Sequence, residues 1–263
     1  MRLEYALSHI DPEMSQACAP PSEYWKLPSL FTTSADAMIR STIACSFAVI
    51  YLYGCGGEFP TDSAKIQAAE QAYDQVLLVK SLNEIQAWHI ENDTGVANIL
   101  GTGMSPSSIA AQFANSNCTL TEELTALWSW HDGGISSVPF VWYHDFLPLQ
   151  EALSEYRWLQ LNPLVRWDPR YIPIFAFEGE WFAAYCGEDA NKAGPIVHYF
   201  LEDEPRIAYV NLTVFLASMA EGLRSGGIHW QDGAMKDDIG KMHLIHQKRN
   251  PGYAFPYYVP DGP

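Results

Sequence analysis

Three residue pairs in this chain have types and spacings that could do chemistry. His131-Asp132 sets an imidazole beside a carboxylate, the components of a general base and its orienting acid. His243-Leu-Ile-His246 sets two imidazoles at i and i+3, a spacing that can hold a metal on one helical face. Glu178-Gly-Glu180 brings two carboxylates close together, as a glycoside hydrolase uses them. Each pair also has a plainer reading. Adjacent residues on a helix end point about 100° apart, so neither His131 nor Asp132 easily orients the other. A histidine in a last helical turn can bond a free carbonyl, and an Asp before Gly133 suits a turn. No carboxylate follows His246 in a zincin pattern, and Lys241, Lys248 and Arg249 oppose a cation. With only Gly179 between them, Glu178 and Glu180 fit a turn joining two strands. Trp128, Trp130, Trp167 and Trp181 could line a sugar pocket, but packing alone explains their positions. Gly101-Thr-Gly103 reads as a loop before a helix, and the sequence carries no G-x-S-x-G, phosphate-binding Gly loop or dinucleotide fingerprint. A non-catalytic protein with no catalytic residue, no metal and no cofactor is the expectation.

The elements that position these residues follow from periodicity and capping. A helix is predicted near Ala35–Tyr53, ended by Gly54-Cys-Gly-Gly57. A second starts at an Asp62 cap and carries Ile66, Ala69, Tyr73, Val76 and Leu77, while Leu82, Ile85 and Trp88 suggest another short one. Ser105-Pro106 is a start signal, with Ser as cap and Pro at the first helical position. Thr119-Leu-Thr-Glu122 offers a capping box ahead of a stripe of Leu120, Leu124, Leu127 and Trp128 that stops at Gly133. From Pro148 a further helix turns Leu149, Leu153, Tyr156 and Leu159 inward and Glu151 and Glu155 outward. Tyr171–Phe177, Trp181–Cys186, Pro195–Phe200 and Arg206–Val210 then read as strands of an antiparallel meander. A closing helix over Thr213–Leu223 stops at Gly226-Gly227, and Pro251–Pro263 is either an arm packed on the body or a frayed end. Helices, then strands, then a helix define an α+β fold.

Composition narrows the partners. Of 263 residues, 48% are apolar, with 9 Trp, 14 Tyr and 12 Phe, enough for a packed core. The balance of 15 basic against 31 acidic residues, a formal charge of −16, repels phosphate backbones and attracts basic proteins. No nucleic-acid partner is expected. Seven acids between Glu178 and Glu204 (Glu178, Glu180, Glu188, Asp189, Glu202, Asp203, Glu204) face Lys192 alone, mostly in inter-strand turns. They suggest an anionic rim for a basic protein surface, together with Glu151 and Glu155. Cys18, Cys45, Cys55, Cys118 and Cys186 are odd in number and form no Cys-x-x-Cys, which reads as unpaired thiols in a reducing compartment. Met1–Pro21 has no signal-peptide pattern. From Met38, however, an apolar run leads to Leu52-Tyr-Gly-Cys55, which is similar to a lipoprotein cleavage box apart from Tyr53. The expectation is a cytoplasmic protein without membrane attachment, unless translation from Met38 makes it a lipoprotein.

Leu120-Thr-Glu-Glu-Leu124 leading to Leu127-Trp-Ser-Trp-His-Asp-Gly133 resembles the opening motif of the Smi/Knr family in the SUKH superfamily. The pattern continues through Phe146-Leu-Pro-Leu-Gln-Glu-Ala-Leu153, Trp167, Tyr171-Ile-Pro-Ile-Phe175, Gly194-Pro-Ile-Val-His-Tyr-Phe200 and Phe215-Leu-Ala-Ser-Met219, with Gly103–Ile109 upstream. The resemblance implies an α+β domain with a mixed, largely antiparallel sheet flanked by helices, over residues 81–227. An N-terminal helical extension (1–80) precedes it and an extended C-terminal tail (228–263) follows. It further implies a protein-binding immunity protein of bacterial competition, neutralising a cognate toxin through its acidic surface. A regulatory scaffold in cell-wall synthesis is the alternative. Where members often carry Gly-Gly-Asp and a later Val-Asp, this chain reads Glu178-Gly-Glu180 and Tyr185-Cys186, which remodels any partner surface there.

Overall fold

A helix begins where a side chain can satisfy its free amides, and Asp74 does so for the first one described. A computed structural model describes Ala68 and residues 72–135, 138–162, 165, 167–186, 193–201 and 204–257. In α1 (Gln75–Glu91) the Asp74 carboxylate accepts from the Leu77 amide at 3.0 Å. Leu78, Leu82, Ile85 and His89 form the buried stripe. Ser81 is buried within it because its hydroxyl donates to the Leu77 carbonyl at 2.8 Å. The sequence pattern places two helices here, with Val76 inward. Instead one helix runs through, Val76 is 78% exposed, and the division set at residue 80 falls inside α1. The predicted cap Asp62, the helix near Ala35–Tyr53 and the Met38–Cys55 segment lie outside the described residues.

A short 3-10 turn (Val96–Asn98) leads to α2 (Pro106–Phe113), which starts at Ser105-Pro106 as expected, with the Ser hydroxyl accepting from Ser108 N at 3.2 Å. α3 (Glu122–Trp130) is capped by Thr121, not Thr119: Thr121 Oγ1 accepts from Leu124 N at 3.3 Å, so Glu122 is the first helical residue and no reciprocal box forms. Thr119 instead donates its amide to the Cys186 carbonyl at 2.8 Å. Beside that bond Cys118 and Cys186 form a disulfide, their Cα atoms 5.2 Å apart. The reading of these two cysteines as unpaired thiols is therefore corrected. Cys18, Cys45 and Cys55 lie outside the described residues.

Five strands follow one another in space as in sequence: β1 (Asp145–Phe146), β2 (Tyr171–Phe177), β3 (Glu180–Tyr185), β4 (Ile196–Phe200) and β5 (Arg206–Tyr209). Every pairing is antiparallel, so the described sheet is a meander, without the parallel component of a mixed one. Between β2 and β3, Glu178 (φ 39°) and Gly179 (φ 89°) make the two-residue turn that suits the right-handed twist of a hairpin. Register slips between Pro173 and Phe175, because Pro173 has no N–H for the ladder; the Ile174 carbonyl there accepts from Leu147 N at 3.0 Å.

Both faces of the sheet are covered. α4 (Leu149–Leu161) packs along β2 on the face carrying Trp181, where Trp167 also lies edge-on to Trp181 and Tyr199. α5 (Leu212–Ser225) covers the other face, its Phe215 ring within 5.3 Å of the rings of Phe175, Phe182 and Tyr209. Burying one such side chain contributes about 1.5–3 kcal/mol. At the start of α5 the buried Glu123 carboxylate accepts from Thr213 N and Oγ1, both at 2.9 Å, satisfying amides that the helix leaves free. Burial raises the Glu123 carboxyl to about 7 against the opposing pull of these bonds.

Residues 228–257 are not an extended tail. They form a hairpin, β6 (Ile228–Gln231) and β7 (Ala234–Asp237), turned at Asp232-Gly233, and then α6 (Ile239–Arg249). After α6 the described residues run through a turn and bends, and Tyr253, Phe255 and Tyr257 pack on the core. Among the described residues no helix is long and apolar enough to cross a membrane.

Candidate functional site

The Trp-Ser-Trp-His-Asp-Gly segment is a junction whose two indoles, imidazole and carboxylate bond to several different elements. Trp128 is fully buried and its Nε1 donates to the Leu147 carbonyl at 3.2 Å. Trp130 Nε1 donates to Asn83 Oδ1 on α1 at 2.8 Å. His131 Nδ1 donates to the Gly101 carbonyl at 2.8 Å, which leaves Nε2 to accept from Gln86 Nε2 at 3.2 Å. Asp132 Oδ1 accepts from Leu149 N at 2.8 Å, capping α4 where Pro148 offers no side-chain oxygen. Gly133 has φ 57°, and a Cβ there would sit 2.5 Å from the Leu147 carbonyl carbon. Gly101 pairs with this segment in both directions: its amide donates to Gly133 O at 2.7 Å, and its carbonyl accepts from Asp132 N at 3.1 Å. His131 and Asp132 thus hold the fold, as the plainer sequence reading expects. The two histidines of α6 also part company: buried His246 donates from Nε2 to the Ala208 carbonyl at 2.6 Å, while His243 packs against Phe255.

The acids singled out in the sequence do not gather in one place. Glu151 is exposed on α4; Glu155 is half-buried, its carboxyl pushed up by burial against a bond from Trp181. Glu178 is exposed at the hairpin turn and Glu204 is exposed ahead of β5. Glu188, Asp189, Glu202 and Asp203 lie outside the described residues. Glu180 is not on a rim at all. Its side chain is 13% exposed and points into a cluster that the sequence reading missed.

In that cluster Glu180 Oε1 is 2.6 Å from His198 Nε2 and 3.4 Å from His144 Nε2. The carboxylate can only accept, so His198 carries a proton on Nε2. Register explains the meeting: Glu180 pairs with Phe200 across β3–β4, which makes His198 its diagonal neighbour on the same face. His144 enters from the turn before β1, its ring 4.7 Å from that of Phe182. Tyr257 closes the site from the C-terminal segment, its ring 4.3 Å from Trp142 and 5.5 Å from His198. Alongside, Trp142 Nε1 donates to Asp237 Oδ2 at 3.1 Å and Tyr143 donates its hydroxyl to Asp237 Oδ1. Burial raises the Glu180 carboxyl, but the bonds and charges of His144 and His198 outweigh it and hold it well below the usual carboxylate range. Burial lowers His144 and raises the Tyr257 hydroxyl. The cluster is a covered ionic knot that ties β3, β4, the pre-β1 turn and the C-terminal segment together.

On the outer side of Tyr143 lies an open cleft of about 430 Å³, lined by Ile135, Pro139, Tyr143, Asp145, Leu147, Ala176, Phe177 and Glu178. Ile135 is 60% exposed and Phe177 43%, and both line this one cleft. The sequence places Phe177 as the last residue of a strand, as the structure does, but nothing local links it to Ile135. No family model matches the chain, and no curated protein matches it.

Proposed function

We propose that this chain is a non-catalytic protein-binding protein of the SUKH type, an immunity protein that neutralises a basic toxin by covering it. The observation that carries the reading is the charge: −16 over 263 residues speeds encounter with a basic protein and disfavours anionic ligands. The ordered motifs from Leu120 to Met219 support it, and His131 and Asp132, occupied in bonding Gly101, Gln86 and Leu149, fit a role in folding better than in catalysis. A hydrolase built on Glu178, Glu180 and His131 is disfavoured, because the first faces solvent while the other two bond to different partners. The Cys118–Cys186 disulfide favours an oxidising compartment over the cytoplasm for this activity. The mass of the mature protein tests the compartment: loss of the residues before Cys55 with an added lipid would establish export from a Met38 start.

The function is tested by expressing the chain together with a toxin encoded beside its own gene. Survival that depends on this protein, and a complex recovered by pull-down, are expected. Unchanged survival without it, and no complex, would sink the reading. A gene neighbourhood with envelope-synthesis enzymes and no toxin would favour the regulatory scaffold.

A further inference from the structure

We propose that the cleft beside the β2–β3 turn is the docking site for the partner, and that its occupant is a bulky apolar side chain flanked by lysine or arginine on a basic protein. The inference rests on the protein-binding reading and assigns it a footprint. Ile135 and Phe177 keep large apolar areas in water at the cleft, and the Tyr143 ring and Leu147 add to its apolar lining. Desolvated apolar anchors ringed by polar groups are where binding energy concentrates. Asp145 and Glu178 are the charged residues among the described lining residues, and no base is among those described residues. Glu178 stands at the turn tip, where its positive φ fixes it outside the ladder, and Leu201 extends the apolar surface against Gly179. Among the described lining residues, the exposed Glu178 carboxylate with no cation beside it favours a basic segment over an acidic one.

The Tyr143 part of the lining is anchored. Tyr143 is held by Asp237 on β7, and His144 behind it is packed on Phe182. A preformed surface loses less freedom on binding than one that must be ordered. The competing surface is α4, where Trp158 is 49% exposed near Glu151 and Glu155. Trp158 is not in the lining of the cleft, so it serves as the control position.

The test screens a displayed library of random linear peptides against the full chain, then measures the enriched peptides by calorimetry at low and high salt. Enrichment of an aromatic or aliphatic residue flanked by Lys or Arg is expected, with affinity falling as salt rises. Phe177→Ser and Ile135→Ser should each weaken binding by roughly tenfold, and Glu178→Lys by a similar factor, while Trp158→Ser leaves it unchanged. Thermal denaturation of each variant separates lost binding from lost fold, and a variant that fails to fold is replaced by Phe177→Leu. No enrichment, enrichment of acidic peptides, or binding lost with Trp158→Ser alone would overturn the assignment. If a toxin is neutralised but Phe177→Ser and Glu178→Lys leave that complex intact, the footprint is wrong and the function stands. If basic peptides bind the cleft but no toxin is neutralised, the footprint stands and the function is wrong.

Discussion

Two regions of this protein pair histidine with a carboxylate, and they do so in opposite ways. At the 128–133 junction His131 and Asp132 are adjacent in sequence and never meet; each bonds backbone or amide groups of other elements. At the knot, His198 and Glu180 are 18 residues apart and sit 2.6 Å from each other because strand register brings them together. Adjacency on a chain fixes direction, and the direction here is apart. Convergence needs a sheet. At the junction both His131 nitrogens and the Asp132 carboxylate find partners, whereas His144 in the knot reaches its carboxylate only at 3.4 Å.

That comparison can be broken or sharpened by substitution. The largest effect is expected at the junction: Trp128→Ala removes a fully buried ring and a hydrogen bond, and should cost about 3–5 kcal/mol in urea unfolding. A loss under about 1 kcal/mol would mean that the segment is not the anchor described. Next comes the knot, where Glu180→Ala strands His198 without its acceptor and should cost roughly 3 kcal/mol. An effect no larger than that of an exposed acid such as Glu151→Ala would show that the knot is solvated.

The pH profile separates two buried carboxylates by sign. Folded Glu123 keeps its proton up to about 7, while the unfolded chain releases it near 4.5. Stability should therefore fall by about 3 kcal/mol as pH rises between those values and level off above them. Glu123→Gln should flatten that limb. Glu180 runs the other way: its lowered carboxyl contributes stability above the ordinary carboxylate range, and that contribution is lost as pH falls below it. Melting temperatures across pH, in the parent chain and the two variants, check both signs. A single monotonic profile unchanged by either substitution would refute the assignment.

Smaller effects complete the series. Asp132→Ala should cost about 1 kcal/mol, as loss of a helix cap does. His144→Phe should change stability by less than about 1 kcal/mol, since burial already favours the neutral ring and its contact with Glu180 is long. If His144→Phe proved as damaging as Glu180→Ala, His144 would be a full partner in the knot.

Much of the fold was legible because local signals and tertiary structure agree. Ser105-Pro106 starts a helix, Glu178-Gly179 turns a hairpin, and the four meander strands lie within a residue or so of their predicted positions. The structural role of His131 and Asp132 was legible from what a histidine at a helix end and an Asp before Gly can bond; the helical angle does not apply, because α3 ends at Trp130 and His131 is extended. What was hidden depends on distant partners. Ser81 breaks the apolar stripe of α1 in sequence but not in space, because its own helix satisfies its hydroxyl. Glu123 looks like a surface acid until the start of α5 arrives to use it. Glu180 reads as a rim acid unless the β3–β4 register is known, and no nearby residue encodes that register. Ile135 and Phe177 become neighbours in a cleft only once β1 is laid against β2.

The disulfide has a consequence for how the chain can be cut. Cys118 and Cys186 are separated by 68 residues, a span that takes in the junction, the cleft and the first half of the sheet. A protease nick anywhere in that span leaves the two pieces covalently joined. A nicked molecule would therefore migrate intact without reductant and as two fragments with it.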